Sequence, residues 1–221
     1  YSISDTAANV AGASASVLGQ ATAVDVTGTA TAAQAALIYA AKSTANYSIM
    51  DTASAVAGAD ASVISHATSV IVSGSVIDTT AIYNSNSSAV YSIIDTPNAI
   101  ASANQNILTH AISVTATSSA TAAQAALIYA GKSTASYSIS DTASAVSGAS
   151  ASVLGQASSV TATGTATAAQ AALIYAGKST ASYSISDTAS AVSGASASVL
   201  GQASSVTATG TATAAQAALI Y

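Results

Sequence analysis

The chain is 221 residues long and 51% hydrophobic, but its apolar set is mostly Ala and Val, with no Trp, Phe or Cys and with Tyr as the aromatic residue. Eight acidic residues, all Asp, stand against three Lys, for a net charge of -5. No basic patch can neutralise phosphates, which excludes nucleic-acid binding, and missing cysteines remove disulfides and thiolate metal sites. The longest apolar run, around Ala171 to Gly177, falls far short of the roughly 20 residues of a spanning helix, so the chain reads as water-soluble.

Tyr-Ser-Ile recurs at Tyr1, Tyr47, Tyr91, Tyr137 and Tyr183, a period of about 46 residues. Units of that size bury too little to stand alone, which makes the chain a single repeat array with units 1-46, 47-90, 91-136, 137-182 and 183-221. It opens on a repeat boundary and stops within a fifth unit, and so reads as an excerpt of something longer.

Each repeat is itself a doublet, with a fainter period of about 23 residues. Both halves open with strict alternation, apolar at Tyr137 and Ile139 or Val160 and Ala162, hydroxyl at Ser138 and Ser140 or Thr161 and Thr163, which predicts one short half-buried strand per half. Asp141-Thr142 and Gly164-Thr165 predict turns, after which the spacing becomes helical. The expected helix faces are Val146, Ala149 and Val153 in one half and Ala169, Ala172, Leu173 and Ala176 in the other. Gly155 and Gly177 are expected to end these helices in left-handed conformation, with Lys178 opposing the C-terminal dipole. Pro97 after Thr96 fits a helix first turn. Val146, Val153, Leu173 and Ile185 are expected in the core.

The predicted fold is α/β: a right-handed strand-helix solenoid of about 23-residue coils paired into 46-residue repeats around one parallel sheet. An all-β solenoid is the alternative, disfavoured by the unbranched run Ala-Ala-Gln-Ala-Ala-Leu-Ile.

The pairing of Tyr-Ser-Ile-Ser-Asp-Thr-Ala-Ala-Asn (Tyr1 to Asn9) with Val-Thr-Ala-Thr-Gly-Thr-Ala-Thr-Ala-Ala-Gln-Ala (Val160 to Ala171) resembles the tandem repeats of large bacterial surface and secreted proteins, the adhesin-like and S-layer-like class. The resemblance implies an extracellular or cell-surface location and a stalk, coat or fibre role. It supplies no catalytic or binding residues.

Several motifs imitate chemistry. Gly-Lys-Ser-Thr at Gly131 and Gly177 ends like a P-loop but lacks the earlier glycine and follows a predicted helix, so it reads as a helix C-cap. Asp5, Asp51, Asp95, Asp141 and Asp187 recur once per doublet, about 10 Å apart, too far for two to share a calcium ion, and read as turn or helix caps. His66 and His110 occupy the place of Gln20, Gln156 and Gln202 and read as polar substitutes. A catalytic centre needs an asymmetric set of groups, whereas residues 137 to 175 and 183 to 221 are identical. No enzyme activity, cofactor or metal is expected.

The outward strand positions carry the remaining functional content. Thr115, Thr117, Thr161, Thr163, Thr207 and Thr209 are expected to continue two hydroxyl ladders, either a solvated face or, in the alternative reading, an ice- or ligand-binding lattice. Met50, Ile71 and Ile94 interrupt those ladders and are expected to form one lateral contact patch. Uncapped ends place an end-to-end contact at Tyr1, Ile3, Leu219, Ile220 and Tyr221. The expected function is a non-enzymatic extracellular structural or adhesive repeat, self-associating end to end and laterally.

Overall fold

The computed structural model describes residues 1–220. The first repeat comprises β1 (Ser2–Thr6), α1 (Ala7–Gly12), α2 (Ala15–Gln20), β2 (Ala23–Ala30) and α3 (Ala32–Ala41). The second comprises β3 (Asn46–Met50), α4 (Ala53–Ala57), α5 (Ala61–His66), β4 (Ser69–Gly74) and α6 (Val76–Ser85). The same order continues through β5 (Val90–Asp95), α7 (Pro97–Ala101), α8 (Gln105–His110), β6 (Ser113–Ala116) and α9 (Ala122–Gly131). It recurs in β7 (Ile139–Thr142), α10 (Ala143–Gly148), α11 (Ala151–Gln156), β8 (Val160–Ala166) and α12 (Ala168–Gly177). The last set is β9 (Ser182–Thr188), α13 (Ala189–Ser193), α14 (Ala197–Gln202), β10 (Ser205–Thr209) and α15 (Ala214–Ile220). Two compact units result, one of residues 1–95 with 103–114 and one of residues 96–102 with 115 onward.

Strands are parallel and pair in chain order, but they form two sheets, β1 to β6 and β7 to β10, which corrects the single-sheet solenoid expected from the sequence. The ladder is irregular beside one position of the repeat. In β2 and β8 the register shifts beside Gly28 (φ 78°) and Gly164 (φ 74°), a left-handed conformation open to glycine. Ser118 holds the corresponding place in the third repeat, and no described non-glycine residue adopts positive φ. There β6 stops at Ala116 and pairing thins to isolated bridges, Thr115 with Ser136 and Ala120 with Ile139.

The helical expectations also need correction. The first half of each repeat holds two short helices because a second N-cap residue interrupts it: Ser14, Asp60, Asn104, Ser150 and Ser196. Ser150 Oγ, for example, accepts from Val153 N at 3.3 Å. Gly155 lies inside α11, and Gly177 ends α12 without entering the left-handed region. Pro97 does open α7, behind the N-cap Thr96.

The long helix turns a different face inward than its spacing suggests. In α12 the buried residues are Ala168, Ala171 and Ile174, while Leu173 is 58% exposed. The capping box fixes this rotation: Thr167 Oγ1 accepts from Gln170 N, and Gln170 Oε1 accepts from Thr167 N, so Ala168 starts the helix against the sheet. Val146, Val153 and Ile185 are buried as expected.

Candidate functional site: an apolar patch on the outer sheet face

Inward strand residues and the caps set the register on which any outer-face site depends. Tyr47, Ile49 and Val70 are buried in the first unit, as are Tyr137, Ile139 and Val160 in the second. Each repeat-opening tyrosine reaches a carbonyl near the end of a short helix. The Tyr47 hydroxyl donates to Val63 O at 2.8 Å, Tyr91 to Ile107 O at 3.0 Å, Tyr137 to Val153 O and Tyr183 to Val199 O, both at 2.9 Å. Burial pushes the Tyr47, Tyr91 and Tyr137 hydroxyls up to about 12, with the nearby Tyr39, Tyr83 and Tyr129 adding to it, and raises Tyr183 in the same way.

The recurring aspartates are helix caps, acting one half-repeat backwards. Asp51 Oδ2 accepts from Ala32 N, the first amide of α3, and Asp95 Oδ2 from Val76 N of α6, each at 3.0 Å. In the second unit Asp141 serves Ala122 and Asp187 serves Ala168 likewise. Asp5 instead accepts from the Asn9 side-chain amide and from Thr6 N, which hold its carboxyl below the usual range. Lys178 also acts on a neighbour: its ammonium donates to Ala157 O at 2.7 Å, just past the end of α11, rather than to its own helix. His66 Nε2–H donates to Ala45 O at 3.1 Å just as Gln156 Nε2–H donates to Ala135 O at 3.0 Å. Among the described residues no three His, Cys, Asp or Glu side chains come together to hold a metal, and no helix is long and apolar enough to cross a membrane.

With those groups engaged in caps, the patch on the first unit stands out. Met50 pairs with Ile71, and Ile71 pairs with Val90, across the adjacent strands β3, β4 and β5. All three point outward, 51%, 41% and 38% exposed. Ile112, 64% exposed, adjoins the same edge: its N–H donates to Tyr91 O at 2.8 Å, and the next residue, Ser113, donates through Oγ to Ser92 Oγ. Ile94 is exposed but lies four residues beyond Val90 on β5, about 13 Å along the strand and past Ser92, so it falls outside the patch expected from the sequence.

Val90 and Ile112 escape the sequence reading because it assumes a constant step of about 23 residues between neighbouring strands. The actual partners are closer in sequence, residue 71 for residue 50 and residue 90 for residue 71. A signal for both was present: the places of Val90 and Ile112 hold Asn46, Ser136 and Ser182, and Thr22, Ser158 and Ser204, in other repeats.

The second unit supplies the polar version of this surface. Ser140 pairs with Thr161, and Thr161 with Ser182, in the register of Met50, Ile71 and Val90. Its other outer threonines follow the same offset: Thr163 faces Thr142, Thr207 faces Ser186, and Thr209 faces Thr188. Thr115 bridges Ser136, and Thr117 is exposed beyond the end of β6. The straight ladders expected from a 23-residue step are therefore replaced by staggered pairs. Of the expected end contacts, Tyr1 is 64% exposed and donates to Val17 O, Ile3 pairs with Val24, Leu219 is 66% exposed and Ile220 is half-buried. Tyr221 lies outside the described residues.

No family model matches the chain, and no curated protein matches it. The solved structure of QR15, an aldolase, is similar over 59% of this chain and 73% of that one, at 15% identity and a TM-score of 0.22. A likeness at that level passes neither fold nor activity to this chain. The extracellular stalk, coat or filament expected from the sequence, and its ice-binding alternative, find no support in these comparisons.

Proposed function

We propose that the protein works by docking another polypeptide on the outer sheet face of its first unit, through Met50, Ile71, Val90 and Ile112. The observation that carries this reading is the register: three apolar side chains sit level on three adjacent strands where the second unit places Ser140, Thr161 and Ser182. Outward apolar residues scattered singly need no explanation, but contiguous ones mark contacts.

The repeats themselves provide the test. Met50→Ser, Ile71→Thr, Val90→Ser and Ile112→Ser, made together, give the first unit the outer residues of the second. Fluorescence of the dye 1-anilinonaphthalene-8-sulfonate, which brightens on apolar surfaces, is expected to fall by more than half in the variant with its circular dichroism unchanged. Equal brightening of parent and variant would remove the docking surface.

A further inference from the structure

We infer that the docked partner is a second copy of this chain, seated on the same face about a two-fold axis that runs along β4 beside Ile71. The inference rests on the docking reading above and adds the identity of the occupant.

Charge is the first reason. The chain carries a net -5, so two copies repel wherever their carboxylates face one another. The patch avoids this. Its outward neighbours on the strands are Ser48, Ser69, Ser73, Ser92 and Ser113, all uncharged. Asp51 and Asp95 are turned to the helix amides of Ala32 and Val76. Asp25, the outer-face carboxylate level with Asn46, lies four residues along the strand from Met50 and accepts from the Asn46 side-chain amide at 2.7 Å. The surface also lacks the lysines that would favour an anionic membrane or an acidic partner, since Lys42 donates to Ala21 O at 2.7 Å.

Self-complementarity is the second reason. A hydroxyl both donates and accepts, so a serine rim can bond to its own symmetry copy, whereas a rim of like charges could not do so without repulsion. The apolar residues meet the same condition. Ile71 sits between Met50 and Val90, and a two-fold axis along β4 brings Met50 of one copy over Val90 of the other while Ile71 meets its own copy. The long, flexible thioether then lies opposite the short branched side chain. Two sheets in this relation pack about 10 Å apart with their strands inclined by the sheet twist. Because the contact is isologous, it closes at two copies and leaves no patch exposed.

Four half-exposed side chains are few against the roughly 800 Å² per partner of a standard complex, so the dimer belongs to the weak, transient class.

Sedimentation equilibrium from micromolar to millimolar concentration is expected to show monomer and dimer for the parent chain and at least a tenfold weaker dimer for the fourfold variant. Absence of cysteine allows the axis to be located. Ile71→Cys, treated with a short bismaleimide, is expected to give at least ten times the cross-linked dimer of Thr161→Cys, the matching exposed position in the second unit. A parent that stays monomeric to millimolar concentration, a fourfold variant that dimerises as well as the parent, or equal cross-linking at both cysteines overturns the second-copy inference. If the dye still distinguishes parent from variant while the parent stays monomeric, the docking surface stands with a different occupant. Loss of that distinction is the failure of the docking reading itself.

Discussion

Met50, Ile71 and Val90 in the first unit and Ser140, Thr161 and Ser182 in the second hold the same three ladder positions, one set apolar and the other hydroxylic, in the same register. The backbone is therefore indifferent to what points outward from it. It is set from the other side, where both units bury a tyrosine, an isoleucine and a valine, Tyr47, Ile49 and Val70 against Tyr137, Ile139 and Val160. In a strand that alternates between faces, the inward residues decide pairing because a slip would expose all of them at once. The outer face is then free to diverge, and a difference between the units there reports a demand other than folding.

If the inward face governs both units alike, ionising it disrupts both. The hydroxyls of Tyr47, Tyr91 and Tyr137 are pushed up to about 12 against an ordinary 10.0, so between those values the unfolded chain has lost protons that the folded chain retains. Stability is fully present below pH 10 and is lost as pH rises through about 12. Denaturant midpoints measured from pH 8 to pH 12 are expected to fall steeply above pH 10. Replacing Tyr91 or Tyr137 by Phe, which removes one titrating group from the first or the second unit, is expected to make that fall shallower to a similar degree. A midpoint independent of pH up to 12 would break the parallel between the units.

A smaller effect separates the units at their glycines. A Cβ on Gly74 would stand 2.1 Å from Ala53 Cβ, a short side chain fixed on α4 that cannot swing away. A Cβ on Gly177 would stand 2.5 Å from Leu154 Cδ1, the far end of a flexible side chain, and the first repeat already carries Ala41 at that place. Gly74→Ala is expected to cost about 1–3 kcal/mol as overpacking, and Gly177→Ala less than about 1 kcal/mol. Urea denaturation of the two variants compares them directly, and equal costs would contradict the contacts.

The strands were legible because alternation in Tyr137 to Ser140 and Val160 to Thr163 has one physical reading, and Pro97 marked a helix start for an equally simple reason. The helices were less so. Ala169, Ala172, Leu173 and Ala176 look like a buried face by hydrophobicity, yet in an alanine-rich helix every face is apolar, and the capping box of Thr167 and Gln170 chooses among them. The thinning of the pairing after β6 coincides with Ser118, where the first, fourth and fifth repeats have Gly28, Gly164 and Gly210 in positive φ. Met50 and Ile71 could be named from sequence because they break a hydroxyl pattern. Their joining to Val90 and the loss of Ile94 depend on strand offsets that no residue in the pattern announces.

The smallest expected effect falls on the histidines, which the first unit has and which the second replaces by glutamine. His66 Nε2–H reaches Ala45 O at 3.1 Å, His110 reaches Ala89 O at 3.2 Å, and Gln156 and Gln202 reach Ala135 O and Ala181 O at 3.0 Å. Each side chain thus presents one N–H to one carbonyl of the preceding strand connection. His66 adds ring contacts with Tyr39 and Tyr47, centroids 5.5 and 5.8 Å away, which glutamine cannot reproduce. Those contacts are tilted and partly exposed, the weaker end of the range for aromatic pairs, so His66→Gln is expected to change stability by less than about 1 kcal/mol. His66→Ala removes the donor and leaves Ala45 O to water or to nothing, at a cost of about 1–3 kcal/mol. Thermal melts of both variants separate the two contributions. A His66→Gln loss as large as that of His66→Ala would show that the imidazole is held by its tyrosines and not by the carbonyl, and that the first unit differs from the second on its inner side as well as its outer face.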